Sequence, residues 1–425
     1  MHRCFIGCAW SIRLWEMPSM IWQWLMGNHT INLTNRRRKK MKKVTTLFLI
    51  VGLLVSPLFF IGNVQAADPI KIGTLLNLTG PIAFIGPLFK NGIVKALEEV
   101  DYTVGGRKIV LMPEDVAADM NVAMQKSKKL VERDRVNIII GPLMGDAHMA
   151  IAPYLANKKV LTASFYCGDL ELTKYKNWFI YPTTLVGLTA PVGYHAADLG
   201  YKTMITAGTD YAGGHGFIKG IKLAFEKRGG KVVQQVWWPV GNKDFGPYLT
   251  NLKKADVIGY FVEGPSAAQL FLSQYNEFGV KIPLLGTTLA ADMPDQITSQ
   301  LGDAVVGLQG QALYMASMDT PMNKKWVAAM TKRFGQTPGG LEANSYAITR
   351  AILTALKATG GDDSYDKLWP ALLKVKVETP QGPLSVSKEG IAITDGYIAE
   401  LKKTGGKMYW DPIKTYKGVV DPRLK

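Results

Sequence analysis

The sequence predicts an α/β protein of two Rossmann-like lobes with parallel central sheets, and three observations predict it. Short apolar, β-branched runs alternate with helical periodicities from about residue 70 to residue 285. The alternation begins afresh after Tyr181-Pro182-Thr183-Thr184, so the pattern describes two units joined by an extended stretch. Runs such as Ile138-Ile139-Ile140 contain no polar alternate, as expected of a strand covered on both faces of a parallel sheet.

In the first unit, Ile70 to Leu76 reads as a strand that ends in a Gly- and Pro-rich loop, LNLTGPIAFIGP. The helix after it places Phe89, Ile93, Ala96, Leu97 and Val100 on one face. A strand from Lys108 to Met112 follows, then the acidic corner Glu114-Asp115 and a helix through Lys126 to Glu132. The next strand, Ile138–Ile140, stops at Gly141-Pro142; Asp146 can cap a helix carrying Ala147, Ile151 and Leu155, and Val160 to Ala163 forms another strand. Strand–helix–strand repetition implies right-handed crossovers. Loops beyond the carboxyl ends of such strands form the ligand crevice, so residues 144–147 and 164–168 are the first candidates for contact.

The second unit alternates helix 188–199, strand 202–207, helix 216–227 with Phe217, Ile221 and Phe225 inward, strand 231–237 and a short helix near 245–253. Strand 256–262, helix 266–278 and strand 283–285 complete it, and two such units are expected to face each other across a cleft. The helix 343–358 is too apolar for an exposed position and is expected to pack back onto the first lobe. The Gly-punctuated segment 375–411 reads as an antiparallel addition to the second lobe.

The chain of 425 residues, 47% hydrophobic, can bury a substantial core, but its net charge of +16 also invites a nucleic-acid reading. Location of the charges removes it. Of 50 Lys and Arg, nine lie in residues 1–66 beside a single acid, Glu16, and the 41 bases against 33 acids that follow are scattered, with no basic arm. Residues 41–66 have the form of an export signal: Lys42-Lys43, an apolar stretch from Thr45 to Ile61, and Val64-Gln65-Ala66 before a cut at Ala67. No Cys stands at the new amino terminus, so a freely soluble, not lipid-anchored, product is expected. Residues 1–40 show no periodic pattern and read as a mis-annotated segment upstream of a start at Met41. Beyond residue 66 only Cys167 remains, so no internal disulfide is expected.

Catalytic signatures are missing. His148, His195 and His215 make no HExxH, and there is no Cys pair, GxSxG elbow or GxxxxGK[ST] loop. Gly214-His215-Gly216 lies between a predicted strand and helix but has the wrong spacing for a dinucleotide loop and lacks the acid expected about twenty residues on. Neither a metal nor a cofactor is expected.

The stretches IKIGTLLNLTGPIAFIGPLFKNGIVKALEEV, IIIGPLMGDAHMAIAPYLANKKVLTAS, KDFGPYLTNLKKADVIGYF and TPQGPLSV, in this order, resemble the periplasmic solute-binding proteins of the leucine/isoleucine/valine type. The resemblance implies the type I periplasmic binding protein fold, with lobes joined by three crossover strands. Lobe 1 would be residues 67–185 plus 313–375 and lobe 2 residues 186–312 plus 376–425. It further implies a monomeric, non-catalytic periplasmic receptor that closes on a small solute and delivers it to membrane ABC permease subunits; a ligand-presenting sensory protein is the rival.

Carried over by position, the family's carboxylate-binding hydroxyls fall on Gly145, Tyr166 and Gly168, so the expected Ser and Thr hydroxyls are missing. Backbone amides near Gly145, Asp146 and Ala147 remain able to receive an anion. The aromatic cover matches Tyr211, and the acid that receives an α-ammonium is replaced by Thr288. Read from the residues alone, Glu263 ends an apolar strand at the crevice, where an acid has no packing reason to be. A standard branched-chain amino acid fits only if Glu263 takes the ammonium. Phe84, Phe165, Tyr166, Tyr211 and Phe261 suit a flat or aromatic solute or a small amide, although Phe165 and Phe261 fit a core equally well and Asp146 fits a helix cap.

Overall fold

The computed structural model describes residues 67–80, 82–166, 168–288 and 302–424, so the export signal, the segment 1–40 and Cys167 lie outside the described residues. The first sheet is built in chain order from β1 (Ile70–Leu76), α1 (Ile85–Glu98), β2 (Thr103–Val104), β3 (Arg107–Asp115), α2 (Met120–Lys128), β4 (Ile138–Ile140), α3 (Gly145–Asn157), β5 (Leu161–Ala163) and β6 (Trp178–Phe179). Its strand order is β2-β3-β1-β4-β5-β6, and all pairings are parallel except the small β2–β3 hairpin. Ile138, Ile139 and Ile140 are fully buried because helices cover both faces: α1 shares a core with Ile138 and Ile140, while α3 packs on the Ile139 side. Strand β3 runs three residues further than predicted, so Glu114 and Asp115 end the strand instead of forming a separate corner.

The second sheet begins after Ile180–Thr184. It takes α4 (Leu185–Asp198), β7 (Thr203–Thr209), α5 (Ala212–Lys227), β8 (Lys231–Trp238), α6 (Gly246–Leu249), β9 (Val257–Val262), α7 (Gly264–Glu277), β10 (Leu284–Thr288) and β11 (Gln309–Ala312). Thr184 caps α4 by accepting the Gly187 N–H at 3.0 Å. Every residue of β9 is buried, since α5 lies on one side of it and α7 on the other. Gly214-His215-Gly216 falls inside α5, which starts at Ala212; the glycines therefore form no strand-to-helix loop and the faint dinucleotide likeness has no structural counterpart.

Three more helices follow: α8 (Pro321–Phe334), α9 (Gly340–Ala358) and α10 (Tyr365–Leu372). Helix α9 lies against α1 of the first sheet, with the Tyr346 hydroxyl donating to Glu99 at 2.7 Å. The two helices approach closely at Gly92: a Cβ there would stand 2.1 Å from the Glu342 carbonyl oxygen and 2.2 Å from Ser345 Oγ. Gly92→Ala must therefore push α9 outward, with an expected loss of about 1–3 kcal/mol, measurable as a shift in the urea midpoint. The chain then returns to the second sheet as β12 (Lys376–Thr379), β13 (Gly382–Val386), β14 (Ala392–Thr404) and β15 (Lys407–Val419). These pair antiparallel beside β11, giving the order β12-β13-β14-β11-β10-β9-β7-β8 with β15 on β14. The tail beyond β15 crosses back once more. Buried Asp421 accepts the Thr184 hydroxyl at 2.5 Å and pairs with Arg423, and Leu424 joins the apolar cluster on the α3 side of the first sheet.

Candidate functional site

The carboxyl ends of the parallel strands supply the loops where a solute can be held. On the first sheet, the loop after β1 is tied down by Asp115, which accepts the Leu78 and Thr79 amides at 2.9 and 3.3 Å and the Thr79 hydroxyl at 2.6 Å. Burial alone would raise its pKa, but the Thr79 hydroxyl and the amides of Ala117, Leu78 and Thr79 outweigh it and bring the carboxyl down to about 2. The loop delivers Phe84 to the start of α1 with half of its surface, 49%, exposed.

Helix α3 begins at Gly145, with Met144 at the N-cap and no side chain capping it. Asp146 therefore sits in the first turn and not at the cap, and its Oδ1 accepts only the amide of its neighbour Ala147, at 2.8 Å. Gly145 and Asp146 are exposed and Ala147 is buried, so the helix presents its opening turn to solvent. After β5, Ser164 turns inward to accept the Tyr181 amide at 3.1 Å. Phe165 stacks on Phe89 with ring centres 4.3 Å apart and is core, not ligand wall. Tyr166 is nearly buried beside it, and the Gly168 carbonyl accepts the Leu185 amide at 3.3 Å, linking this loop to the chain's first passage between sheets.

On the second sheet, Thr209 ends β7 and Glu263 follows β9, on neighbouring strands in register. The Trp238 indole N–H donates to Thr209 Oγ1 at 3.0 Å, the Thr209 hydroxyl donates to Glu263 Oε2, and the Gly241 amide donates to Oε1 at 3.2 Å. Glu263 occupies the N-cap of α7, yet its carboxylate does not cap that helix. Tyr211 precedes α5; burial raises the pKa of its phenol and the nearby Glu263 carboxylate raises it further, so the hydroxyl keeps its proton. Phe261 stacks on Phe217 with centres 4.1 Å apart and is fully buried, so it too belongs to the core. Thr288 ends β10, and its side chain lies outside what is described. Thr209, Trp238 and Gly241 were not foreseen. Their partnership depends on which strands lie side by side, and no local signal in the sequence carries that.

Charge at these loops is one-sided. Among the described residues of segments 77–84, 116–119, 141–147, 164–169, 180–184, 209–212, 239–245 and 263–264, Lys243 stands against Asp119, Asp146, Asp169, Asp210, Asp244 and Glu263. Within these segments an anion meets backbone amides such as those at the start of α3. Arg423 of the tail stands beside these segments, paired with Asp421, which holds the Thr184 hydroxyl, and near Asp169. A cavity of about 540 Å³ lies elsewhere, lined by Leu284, Leu285 and Gln309 at the amino ends of β10 and β11, the opposite edge of the sheet. The described residues contain no cluster of three or more His, Cys, Asp or Glu able to hold a metal ion.

Comparison with known proteins bears on the family and the fold. The Leu/Ile/Val-binding protein homolog 6 of Brucella abortus (strain 2308) is 27% identical over 399 residues, 91% of this chain and all of the relative. An ABC transporter substrate-binding protein from Sphaerobacter thermophilus superposes with a TM-score of 0.79 at 30% identity, covering 83% of this chain and 99% of that one. A solute binding protein of an ABC transporter from Rhodopseudomonas palustris BisB5, solved in complex with 3,4-dihydroxy benzoic acid, gives a TM-score of 0.74 at 30% identity over 83% of this chain and 99% of its own. The profile of the family described as periplasmic binding protein matches residues 69–407, most of the chain. The two mainly parallel sheets, the helices interleaved between their strands and this match have one reading: the chain belongs to the periplasmic binding protein family.

Proposed function

We propose that the chain is the periplasmic receptor of an ABC importer, and that the solute it closes on is an aromatic carboxylic acid. The observation that carries the solute class is the polarity of the two strand-end loops. The first sheet offers the uncapped amides of α3, and the second offers the Glu263 carboxylate beside Tyr211. Such a pair suits a molecule with a carboxylate at one end and a hydrogen-bond donor at the other. Phe84, Tyr166 and Tyr211 supply the aromatic surface between, while Gly145, Asp146, Ala147, Gly168 and Glu263 supply polar contacts or close backbone approach. The relatives named above divide between branched-chain amino acids and a dihydroxybenzoic acid. The loss of an acid at Thr288 favours the aromatic acid.

Lobe 1 takes residues 67–185 plus 313–375 and lobe 2 takes 186–312 plus 376–425, except that the end of the tail returns to the first sheet at Leu424, and the hinge lies where the chain passes between them. Solute binds the closed arrangement more tightly than the open one, and that difference in affinity shifts the population toward the form that docks on the permease subunits. The receptor acts as an exported monomer, and its chemistry is binding without conversion. Transport is favoured over sensing because the structural neighbours are transporter receptors. Calorimetry of the purified protein with benzoate, hydroxybenzoates, leucine, valine and acetamide tests the reading. Micromolar or tighter binding of the aromatic acids, with the aliphatic amino acids at least about thirtyfold weaker (~2 kcal/mol), is expected. Heat from none of the aromatic acids would overturn it.

A further inference from the structure

Resting on that reading of two lobes that close on a solute, we propose that residues 421–424 form a strap beside the hinge, anchored to lobe 2 by Asp421 and to lobe 1 by Leu424, which limits how far the lobes open and so slows release of the solute. Chain beyond a last strand ordinarily frays unless something ties it down. Here the segment after β15 sets a carboxylate with no exposed surface, Asp421, at the start of α4. Its Oδ2 accepts the Thr184 hydroxyl at 2.5 Å while Thr184 Oγ1 accepts the Gly187 amide at 3.0 Å, so the acid and the helix cap are one hydrogen-bonded unit. The backbone is equally close: a Cβ on Gly187 would stand 3.2 Å from the Asp421 nitrogen. Helix α4 packs on α5 and β14 of the second sheet, so this anchor moves with lobe 2.

The segment Asp421-Pro422-Arg423-Leu424 is built to turn. Asp421 Oδ1 accepts the Arg423 amide at 2.9 Å, Pro422 presets its own φ, and the Leu424 amide donates to the Asp421 carbonyl at 2.9 Å. The Arg423 guanidinium returns to the same carboxylate, with Nε 3.0 Å from Oδ1 and Nη2 2.6 Å from Oδ2, so the buried charge is paired. The turn carries Leu424 to the first sheet, where it packs on the cluster that holds Leu172, Trp178 and Ile180. Asp169 adds its attraction to Arg423 from the loop after β5. That loop contains the candidate contacts Tyr166 and Gly168, and its Gly168 carbonyl already accepts the α4 amide of Leu185 at 3.3 Å. The strap therefore runs beside the place where lobe 1's solute loop meets lobe 2's first helix.

Its length sets the limit. The ends of such a turn lie within about 7 Å of each other, and three residues pulled straight span about 10 Å. Once the two anchors separate by more than about 3 Å, one of them must let go, stranding the buried Asp421 or uncovering Leu424. The passages of the hinge itself absorb rotation through φ and ψ and set no such limit. Solute leaves through the opened form, so a strap that resists wide opening acts on the dissociation rate and leaves association with the open form nearly unchanged. Asp421 and Leu424 are in this sense positioning residues: they hold the lobes and touch no solute.

The test reads the distance between spin labels on the two rims, at Asn121→Cys in α2 and Lys243→Cys in the loop after β8, both exposed positions, with Cys4, Cys8 and Cys167 replaced by serine. The full-length, solute-free protein is compared with Asp421→Ala, Leu424→Ser and the double variant, with circular dichroism melts to verify folding. Each single variant is expected to broaden the distribution and lengthen its mean by about 3 Å or more, the slack of the turn. The double variant is expected to go no further than the larger single change, because release at either end frees the strap; two independent structural defects would add. An unchanged distance in folded Leu424→Ser, which leaves the Asp421 anchor intact, or a double change equal to the sum of the singles, overturns the inference. Stopped-flow kinetics with benzoate are expected to show dissociation at least about threefold faster in each variant and association within about twofold of wild type; equal dissociation rates overturn it as well. The distances are read without solute and decide the strap by themselves, whereas failure of benzoate and every other aromatic acid to bind removes only the reading of the solute class.

Discussion

Gln381→Leu is expected to cost about 2–6 kcal/mol of stability, read as a lower urea midpoint at unchanged slope. The side-chain amide of Gln381 is a node for the first three passages of the chain between the sheets. Its Oε1 accepts the Tyr181 hydroxyl at 2.5 Å, and its Nε2 donates to the Leu313 carbonyl at 3.2 Å and to Asn344 Oδ1 at 2.8 Å. Tyr181 lies in the first passage, Leu313 in the second and Gln381 in the third, while Asn344 belongs to α9 on the first sheet. Tyr181, Asn344 and Gln381 are all buried, so water cannot replace the lost amide. Leucine would strand the Tyr181 hydroxyl and leave Asn344, whose Nδ2 already lacks a partner, unpaired at its oxygen as well. Each stranded group costs about 1–3 kcal/mol. Tyr181→Phe removes one donor and also leaves Gln381 Oε1 short of it, so a smaller loss of about 1–2 kcal/mol is expected. A loss below about 1 kcal/mol for Gln381→Leu would mean that the node is bridged by other groups and does not hold the passages together.

That node shows where reading the sequence stops. The strand at Ile138–Ile140 was legible because three consecutive β-branched residues need cover on both faces, and both faces are covered. The antiparallel strands after residue 375 announce themselves locally, whereas α4, read from residue 188, starts at Leu185 behind a cap at Thr184 that went unread. Helix α8 was equally legible but went unread: Thr320 caps it by accepting the Asn323 amide at 3.1 Å, Pro321 opens it, and Gly335 at φ 78° closes it. Gln381 meets Leu313 and Tyr181 across 68 and 200 residues, and no local pattern marks such a meeting. The candidate site divides the same way. Glu263 stood out as an acid ending an apolar strand, but its partner Thr209 lies 54 residues away on a strand whose adjacency only the fold reveals. Phe165 and Phe261 looked able to line a ligand because an aromatic beside a loop has the same sequence signature in a core, and each proved to be stacked on an inward helix residue, Phe89 and Phe217.

Between pH 6.5 and 4.5 the wild-type protein is expected to show little change in stability, because two buried groups oppose each other. His148 is fully enclosed; its Nε2–H donates to the Pro142 carbonyl at 2.7 Å, and Nδ1 has no partner. Burial of the charged form, only partly offset by the Pro142 carbonyl and Asp146, lowers its pKa to about 4. As pH falls through 6.5 the unfolded chain takes up a proton that the native imidazole refuses, so stability drops by about 1.4 kcal/mol per pH unit until about pH 4. Glu342, buried near the start of α9, runs the other way. Burial raises its carboxyl to about 7 despite the Gly339 amide at 3.0 Å and the Gln336 side chain at 3.2 Å. Its native form holds a proton that the unfolded chain has released, so stability rises by a similar amount as pH falls from about 7 to 4.5. Removing either group exposes the other. Glu342→Gln is expected to lose about 3 kcal/mol between pH 6.5 and 4, and His148→Gln to gain about 3 kcal/mol between pH 7 and 4.5, each followed by urea denaturation across that range. Wild-type and Glu342→Gln curves that run parallel over this interval would show that Glu342 is not buried as a neutral acid, and with it the explanation of the flat profile would fail.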